Sequence, residues 1–296
     1  MPHLIQLNLL VLLWSFTAIL AEFIQLQTPS IVLWRTAIAS LAFYFISRAQ
    51  RDKSGQFTPP TRRQIGMAWL TGAILGLHWL CFFGAIVTAN VSIGLAGFAA
   101  TALFTALLQP VFEKKAPTRN EILLALLVAV GLIIIASART TVPNALLGLA
   151  IALLGALLAA AYGLASKQLV EARLSGPVMM AHQIPVSGLV SALAIAVVPG
   201  WRFEVPALPD LAPLLCLALL CTTIAYLWYA ALLKHLSAYT VSLAMNFEPV
   251  YGMLLAALIL QEHETLGPRF YLGTLAIVIA NLVHARLEKK PQPAPA

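Results

Sequence analysis

Ten times between Leu4 and Ala285 the sequence runs for 18 to 23 residues with almost no charge, and nothing between those runs is long enough to fold as a separate soluble domain. The hydrocarbon core of a bilayer is about 30 Å thick, which roughly 20 residues of helix cross at 1.5 Å each. The spacing predicts spans at Leu4–Ile24, Ser30–Ser47, Gly66–Val87, Val91–Phe112, Asn120–Ala138, Ala145–Ser166, Pro177–Val198, Leu211–Leu233, Ala238–Leu260 and Pro268–Ala285. Pro, Gly, Asn or charge punctuates the connections, as in Gln27-Thr28-Pro29 and Thr141-Val142-Pro143-Asn144. With 60% hydrophobic and 10% charged residues, a soluble chain could not cover its own core. The expected fold class is therefore an all-α membrane protein with ten transmembrane helices. The first run reads as a retained helix and not a cleaved signal: no Lys or Arg precedes it, and Ile19 spoils the small-residue pattern needed for cleavage after Ala21.

The excess of Lys and Arg over Asp and Glu, 18 to 11, invites a nucleic-acid reading that its distribution removes. With the N-terminus in the cytoplasm, the inner loops and tail hold Arg48, Arg51, Lys53, Arg62, Arg63, Lys114, Lys115, Arg119, Lys167, Arg173, Lys234, Arg286, Lys289 and Lys290. The outer loops hold Arg139, Arg202 and Arg269, and Arg35 lies within a span. This is the positive-inside pattern of a multi-pass protein with both termini cytoplasmic, here expected in the bacterial inner membrane. The proline-rich tail from Glu288 to Ala296 is expected to be disordered. Cys81, Cys216 and Cys221 all fall in apolar runs without a CxxC spacing, so they read as buried small hydrophobes.

Ten helices with both ends inside suggest two five-helix halves, 1–142 and 143–287, followed by the tail 288–296; the odd number inverts the second half relative to the first. Trp79 to Ala85 resembles Tyr226 to Leu232 at an offset of 147, and Pro29 with Arg35 mirrors Pro177 with Gln183 at nearly that spacing. Across the 45 pairs of Ile74–Thr118 against Cys221–Thr265 only four residues are identical, so the repeat rests on topology and length.

The stretch Ala231-Leu232-Leu233-Lys234-His235-Leu236-Ser237-Ala238-Tyr239-Thr240, followed by Asn246-Phe247-Glu248-Pro249-Val250 and Gln261-Glu262, resembles the second-repeat pattern of the EamA-type carriers of the drug/metabolite transporter superfamily. Trp14 and Arg35 also stand where such proteins carry Trp and Arg. The resemblance spans essentially the whole chain. It implies two inverted five-helix repeats and a central cavity lined by helices 1, 3, 4, 6, 8 and 9. The chain departs from the pattern at Thr101-Ala102, which repeats Glu248-Pro249, and at Lys114-Lys115, where an acid would be expected.

Among residues that could carry chemistry, Glu248 is foremost. It falls ten residues into a 23-residue span, and Pro249 behind it cannot donate the helical hydrogen bond to Met245, so a kink is expected beside a buried acid. The rival reading is a protonated, hydrogen-bonded packing residue. His78 could shuttle a proton or simply donate one interhelical hydrogen bond, whereas His182 reads as structural. Arg35 could snorkel to the headgroups, the slightly favoured reading because helix 2 is peripheral by resemblance, or it could grip a substrate carboxylate. Tyr226, Tyr229, Trp79, Phe82 and Trp14 would furnish aromatic walls, and Asn246 lies two residues before the acid. Gly72 and Gly76, with the stripe Gly148, Ala152, Gly155, Ala159 and Gly163, allow close helix approach.

No metal spacing, nucleotide loop or hydrolase motif is present, so neither cofactor nor metal is expected and the chain does not read as an enzyme. The expected function is a secondary transporter, an exporter of small polar metabolites such as amino acids. The metabolite class follows from the resemblance. Proton coupling and a homodimer remain open as partners. The rivals are an intramembrane enzyme acting on a lipid-linked substrate, which would need a nucleophile–base constellation, and a non-transporting subunit, which would have no need of a buried acid.

Overall fold

The structure is a computed structural model that describes residues 2–54, 59–113, 118–137, 141–236, 241, 244–245 and 247–288. Asn246, Lys114, Lys115, Lys289 and Lys290, and the tail beyond Glu288, lie outside the described residues. In chain order the helices are α1 (Pro2–Glu22), α2 (Thr28–Ser54), α3 (Arg62–Thr88), α4 (Val91–Phe98), α5 (Thr101–Glu113), α6 (Arg119–Ala136), α7 (Ala145–Glu171), α8 (Gly176–Val197), α9 (Leu208–Ala218), α10 (Ala225–Leu232), α11 (Glu248–Ile259) and α12 (Pro268–Glu288). A π-turn, Leu219–Ile224, joins α9 to α10. Seven helices or helix pairs among the described residues are long and apolar enough to cross a membrane. Three shorter apolar helices, Ile122–Ile135, Val250–Ile259 and Pro268–Ala280, fall within the other three expected spans.

Long apolar helices in lipid gain little from hydrophobic attraction to each other, so close packing has to hold them together. The small residues supply it. On α3 the GxxxG pair lies against α8: a Cβ at Gly72 would overlap the Gln183 carbonyl oxygen and stand 2.8 Å from its Cα, and one at Gly76 would stand 2.9 Å from the Cα of Ser187. Ser187 Oγ donates to the Gly72 carbonyl at 2.7 Å across the same seam. On α7, Gly148, Ala152 and Gly155 meet Ala89, Gly97 and Cys81 of the α3–α4 region. Gly131 of α6 and Gly273 of α12 meet face to face; a Cβ on either would reach the other's carbonyl oxygen. Cys221 is buried, but Cys81 is half-buried and Cys216 is exposed, so the reading of three buried cysteines holds for one of them.

The fourth span, expected to be continuous, and the ninth, expected to kink at Pro249, are both broken. The fourth span stops at Phe98, turns through Ala99-Ala100 and restarts at Thr101, whose Oγ1 bonds back to the Phe98 carbonyl at 2.6 Å. In the ninth, α11 begins at Glu248 itself, with Pro249 in the first turn, where a missing N–H costs nothing. The acid thus sits at a helix start and not inside a kinked helix. The two restart points are 147 residues apart, the offset that aligns Trp79–Ala85 with Tyr226–Leu232.

Helix ends in the connections are tied by side chains. Glu262, after α11, accepts from the backbone N–H of Val91 (3.0 Å) and Ser92 (2.8 Å), and Asn90 Oδ1 accepts from Ile93 N–H, so the start of α4 is fully capped. Asp210, 3% exposed, accepts from Gln25 N–H (2.8 Å) and Ala207 N–H (2.9 Å), joining the α1–α2 connection to α9. Because Gly72 faces backbone and Gly66 faces open space, Gly72→Ala should lower stability by about 1–3 kcal/mol through overpacking. Gly66→Ala should be neutral or stabilising. Thermal unfolding of the two purified variants in detergent checks the contrast; equal melting temperatures would refute the seam.

Candidate functional site

A chamber with an empty volume of about 370 Å³, its mouth included, opens where the broken helices meet. Trp14 and Thr17 of α1, Arg35 of α2, and His78, Trp79 and Phe82 of α3 form much of its wall. Phe98 at the end of α4, Tyr226 of α10, Met245 and Glu248 complete it. Helix 2 therefore contributes to the cavity, and helix 6, here α7, contributes no lining side chain. Both points correct the expectation drawn from the resemblance.

Arg35 is 1% exposed and does not snorkel. The reason is the course of its helix: α2 packs against α9 and the π-turn, so the side chain enters the bundle. Its guanidinium lies over the Trp79 ring at 4.1 Å and near Phe83 at 5.4 Å. Nε and Nη2 donate to the Thr222 hydroxyl at 3.1 and 2.6 Å. Nη1 is buried and has no hydrogen-bond partner. Thr17 Oγ1, on the same chamber wall, is likewise buried without one.

Thr222 lies in the π-turn. Hydrogen bonds in such a turn span five residues, and the irregularity frees carbonyls and re-aims side chains. Thr222 and Thr223 send their hydroxyls back to the Leu217 and Ala218 carbonyls at 2.7 and 2.9 Å. The Cys221 carbonyl accepts from Trp14 Nε1 at 3.1 Å, which fixes α1 to the turn.

Glu248 is 5% exposed and makes no ion pair among the described residues, in which the ion pairs are Lys167–Glu171 and Arg202–Glu204. A buried carboxyl group and a buried guanidinium thus line one small chamber with no ion pair between them. His78 Nδ1 lies 2.9 Å from the Gly155 carbonyl, which can only accept, so Nδ1 carries a hydrogen and the neutral ring keeps Nε2 as its acceptor. Its ring packs against Phe98 and Phe82. The two readings of His78 are compatible: one nitrogen holds α7, and the other remains free of that bond.

Behind the chamber stand four packed aromatic rings. Trp14 lies 5.4 Å from Tyr226 and 5.6 Å from Tyr229, and Tyr162 lies 6.2 Å and 6.4 Å from the same two. Tyr229, three residues after Tyr226, belongs to this aromatic cluster and not to the lining. His182 does not line the chamber. Asn246 lies outside the described residues.

The structure brings together Trp14, Arg35, His78, Trp79, Phe82, Tyr226 and Glu248 from the sequence expectations. It adds Thr17, Phe98, Met245 and Thr222. Thr17, three residues after Trp14 on the same helical face, was findable from spacing. No residue pattern announces the π-turn that presents Thr222. Among the described residues no group of three or more His, Cys, Asp or Glu could hold a metal ion.

A model of the EamA-like transporter family matches residues 2–137 and again residues 146–285. One solved crystal structure of a protein superposes with a TM-score of 0.68 at 16% sequence identity, over 98% of this chain and 99% of its own length, a likeness of fold alone. No curated protein matches the chain.

Trp14→Phe keeps the ring and deletes the bond to the Cys221 carbonyl, leaving a buried acceptor in the π-turn. It should cost about 1–2 kcal/mol, read as a lower melting temperature than that of Trp228→Phe, whose indole makes no such bond among the described residues. Equal temperatures would mean that α1 is not anchored to the turn.

Proposed function

The chain belongs to the EamA-like transporter family, and on that premise we propose that it is a secondary carrier that exports small polar metabolites, amino acids or related compounds, by alternating access. Ten spans form two inverted five-helix halves, 1–142 and 143–287, with both termini in the cytoplasm of a bacterial cell and the chain in its inner membrane. The chamber between the halves opens to one side at a time. The glycine seams are the surfaces on which the helices slide.

One observation carries this reading: Arg35 and Glu248, 1% and 5% exposed, face the same chamber with no ion pair between them. Ionisable groups inside a membrane are expensive, and where they persist they face partners, water or cargo. A scaffold subunit would gain by joining or deleting this pair. Trp79, Phe82, Phe98 and Met245 offer apolar surface beside the charges. If a proton is coupled to transport, Glu248 or His78 is its carrier.

The test is counterflow in proteoliposomes. Wild-type protein should exchange labelled amino acids, and Glu248→Gln, which keeps shape and removes charge, should reduce exchange about tenfold or more, as the loss of a charge-assisted contact implies. Unchanged uptake, counterflow and pH dependence in Glu248→Gln would remove both roles given to this acid.

A further inference from the structure

A guanidinium carries five N–H donors in a rigid fork. In this chain two of them, on Nε and Nη2, converge on one oxygen, Thr222 Oγ1. That oxygen can receive both because its own hydrogen is committed elsewhere: it donates to the Leu217 carbonyl at 2.7 Å, five residues back, a bond that the π-turn creates. The hydroxyl therefore turns its lone pairs toward Arg35. The Trp79 face at 4.1 Å blocks the guanidinium from tilting away. What remains is the end edge of the fork, formed by Nη1 and the second hydrogen of Nη2. Nη1 is buried, beside the chamber and without a partner.

We propose that Thr222 is a positioning residue that presents this edge of Arg35 as a clamp for the carboxylate of a zwitterionic substrate, whose ammonium end is directed to Glu248. The proposal rests on the carrier reading above and names the substrate's charged ends. Two parallel donors on one planar edge match the two oxygens of a carboxylate, which is where Arg outperforms a point charge. Phosphate would fit the fork as well, but a dianion would meet the Glu248 carboxylate in the same small chamber. A compound with one carboxylate and one ammonium satisfies both ends and leaves its side chain for the apolar wall of Phe82, Phe98 and Met245.

The neutral half of the repeat shows what the arrangement looks like without a clamp. Gln183, the counterpart of Arg35, donates through Nε2 to Thr71 Oγ1 at 2.7 Å, and its Oε1 accepts from Tyr162 at 3.1 Å. The Thr71 hydroxyl is likewise spent on its own helix, on the Met67 and Ala68 carbonyls. There both ends of the side chain are satisfied internally. At Arg35 one end is not.

The experiment is a thermal-shift titration of the full-length protein in detergent with an equimolar mixture of neutral L-amino acids, against the same mixture as primary amides, which keep the ammonium and lose the carboxylate charge. Wild-type protein should be stabilised by the acids and not by the amides. Thr222→Ser, which keeps the hydroxyl, should behave as wild type. Thr222→Val should start from a lower unliganded melting temperature and, measured from that baseline, should need about tenfold or more acid for the same shift, as loss of a hydrogen bond to a charged group predicts. Amides that stabilise wild type as well as acids do would overturn the clamp, and the wild-type comparison decides this even if Thr222→Val does not fold. Equal acid titrations of Thr222→Val and wild type would overturn the role of Thr222. If amides are also exchanged in counterflow, the carrier reading stands without the clamp; if neither mixture shifts the wild-type protein, the clamp and the amino-acid class fall together.

Discussion

A guanidinium almost wholly buried, with no ion pair among the described residues, sets the terms for everything packed around it. Burying an isolated cation in a bilayer costs several kcal/mol, and the structure offsets that with an aromatic face and an oxygen. The oxygen is available only because α9 and α10 are joined by a π-turn, and the turn is held in place because Trp14 donates to one of its freed carbonyls. The chamber is the space that this arrangement keeps open.

The repeat is clearer in hydrogen bonds and helix breaks than in letters. Arg35 reaches a threonine on the third segment of the other half, and Gln183 does the same in return. Both the fourth and ninth spans break, and the residues that restart them, Thr101 and Glu248, stand at the aligned position. Gly131 and Gly273 meet each other at the contact between the fifth and tenth segments. The geometry is shared, but the charge is not. One half supplies Arg35 at its polar node and Thr101 at its break, and the other supplies Gln183 and Glu248. At these paired positions the chamber therefore carries two ionisable groups of opposite kind in place of four.

The hydropathy of the sequence was enough to find where the helices lie, because a bilayer demands length and apolarity and little else. It also pointed to Trp14, His78, Trp79, Phe82, Tyr226 and Glu248, since aromatic and ionisable residues on inner spans have few other places to face. It could not tell which way Arg35 turns. An arginine seven residues into a helix can climb to the headgroups or enter the bundle, and only the packing of α2 against the π-turn decides. Tyr229 shares a helical face with Tyr226 yet packs against Trp14 and Tyr162 and does not line the chamber. The break at Ala99-Ala100 was not visible, being ordinary helical sequence, whereas Pro249 announced a kink where the structure has a helix start. The π-turn has no residue signature, because it is a choice of hydrogen-bond register, so Thr222 looked like one more small residue in an apolar run.

Three acids of the connecting segments show by contrast what is unusual about Glu248. Glu262 accepts from Val91 and Ser92, Asp210 from Gln25 and Ala207, and Glu204 from Gln27 through the backbone N–H of each partner. Each ties a connection in one half to a helix start or loop in the other, and each is satisfied by amides that a helix start or turn leaves unpaired. Glu248 also stands at a helix start, but as the first residue of its own helix it faces the chamber beside Met245 and Tyr226. The acids in the connections fasten the two halves together. The acid in the chamber has no ion-pair partner among the described residues, as Arg35 on the same chamber wall has none, so the two groups that fasten nothing are the two that line the same cavity.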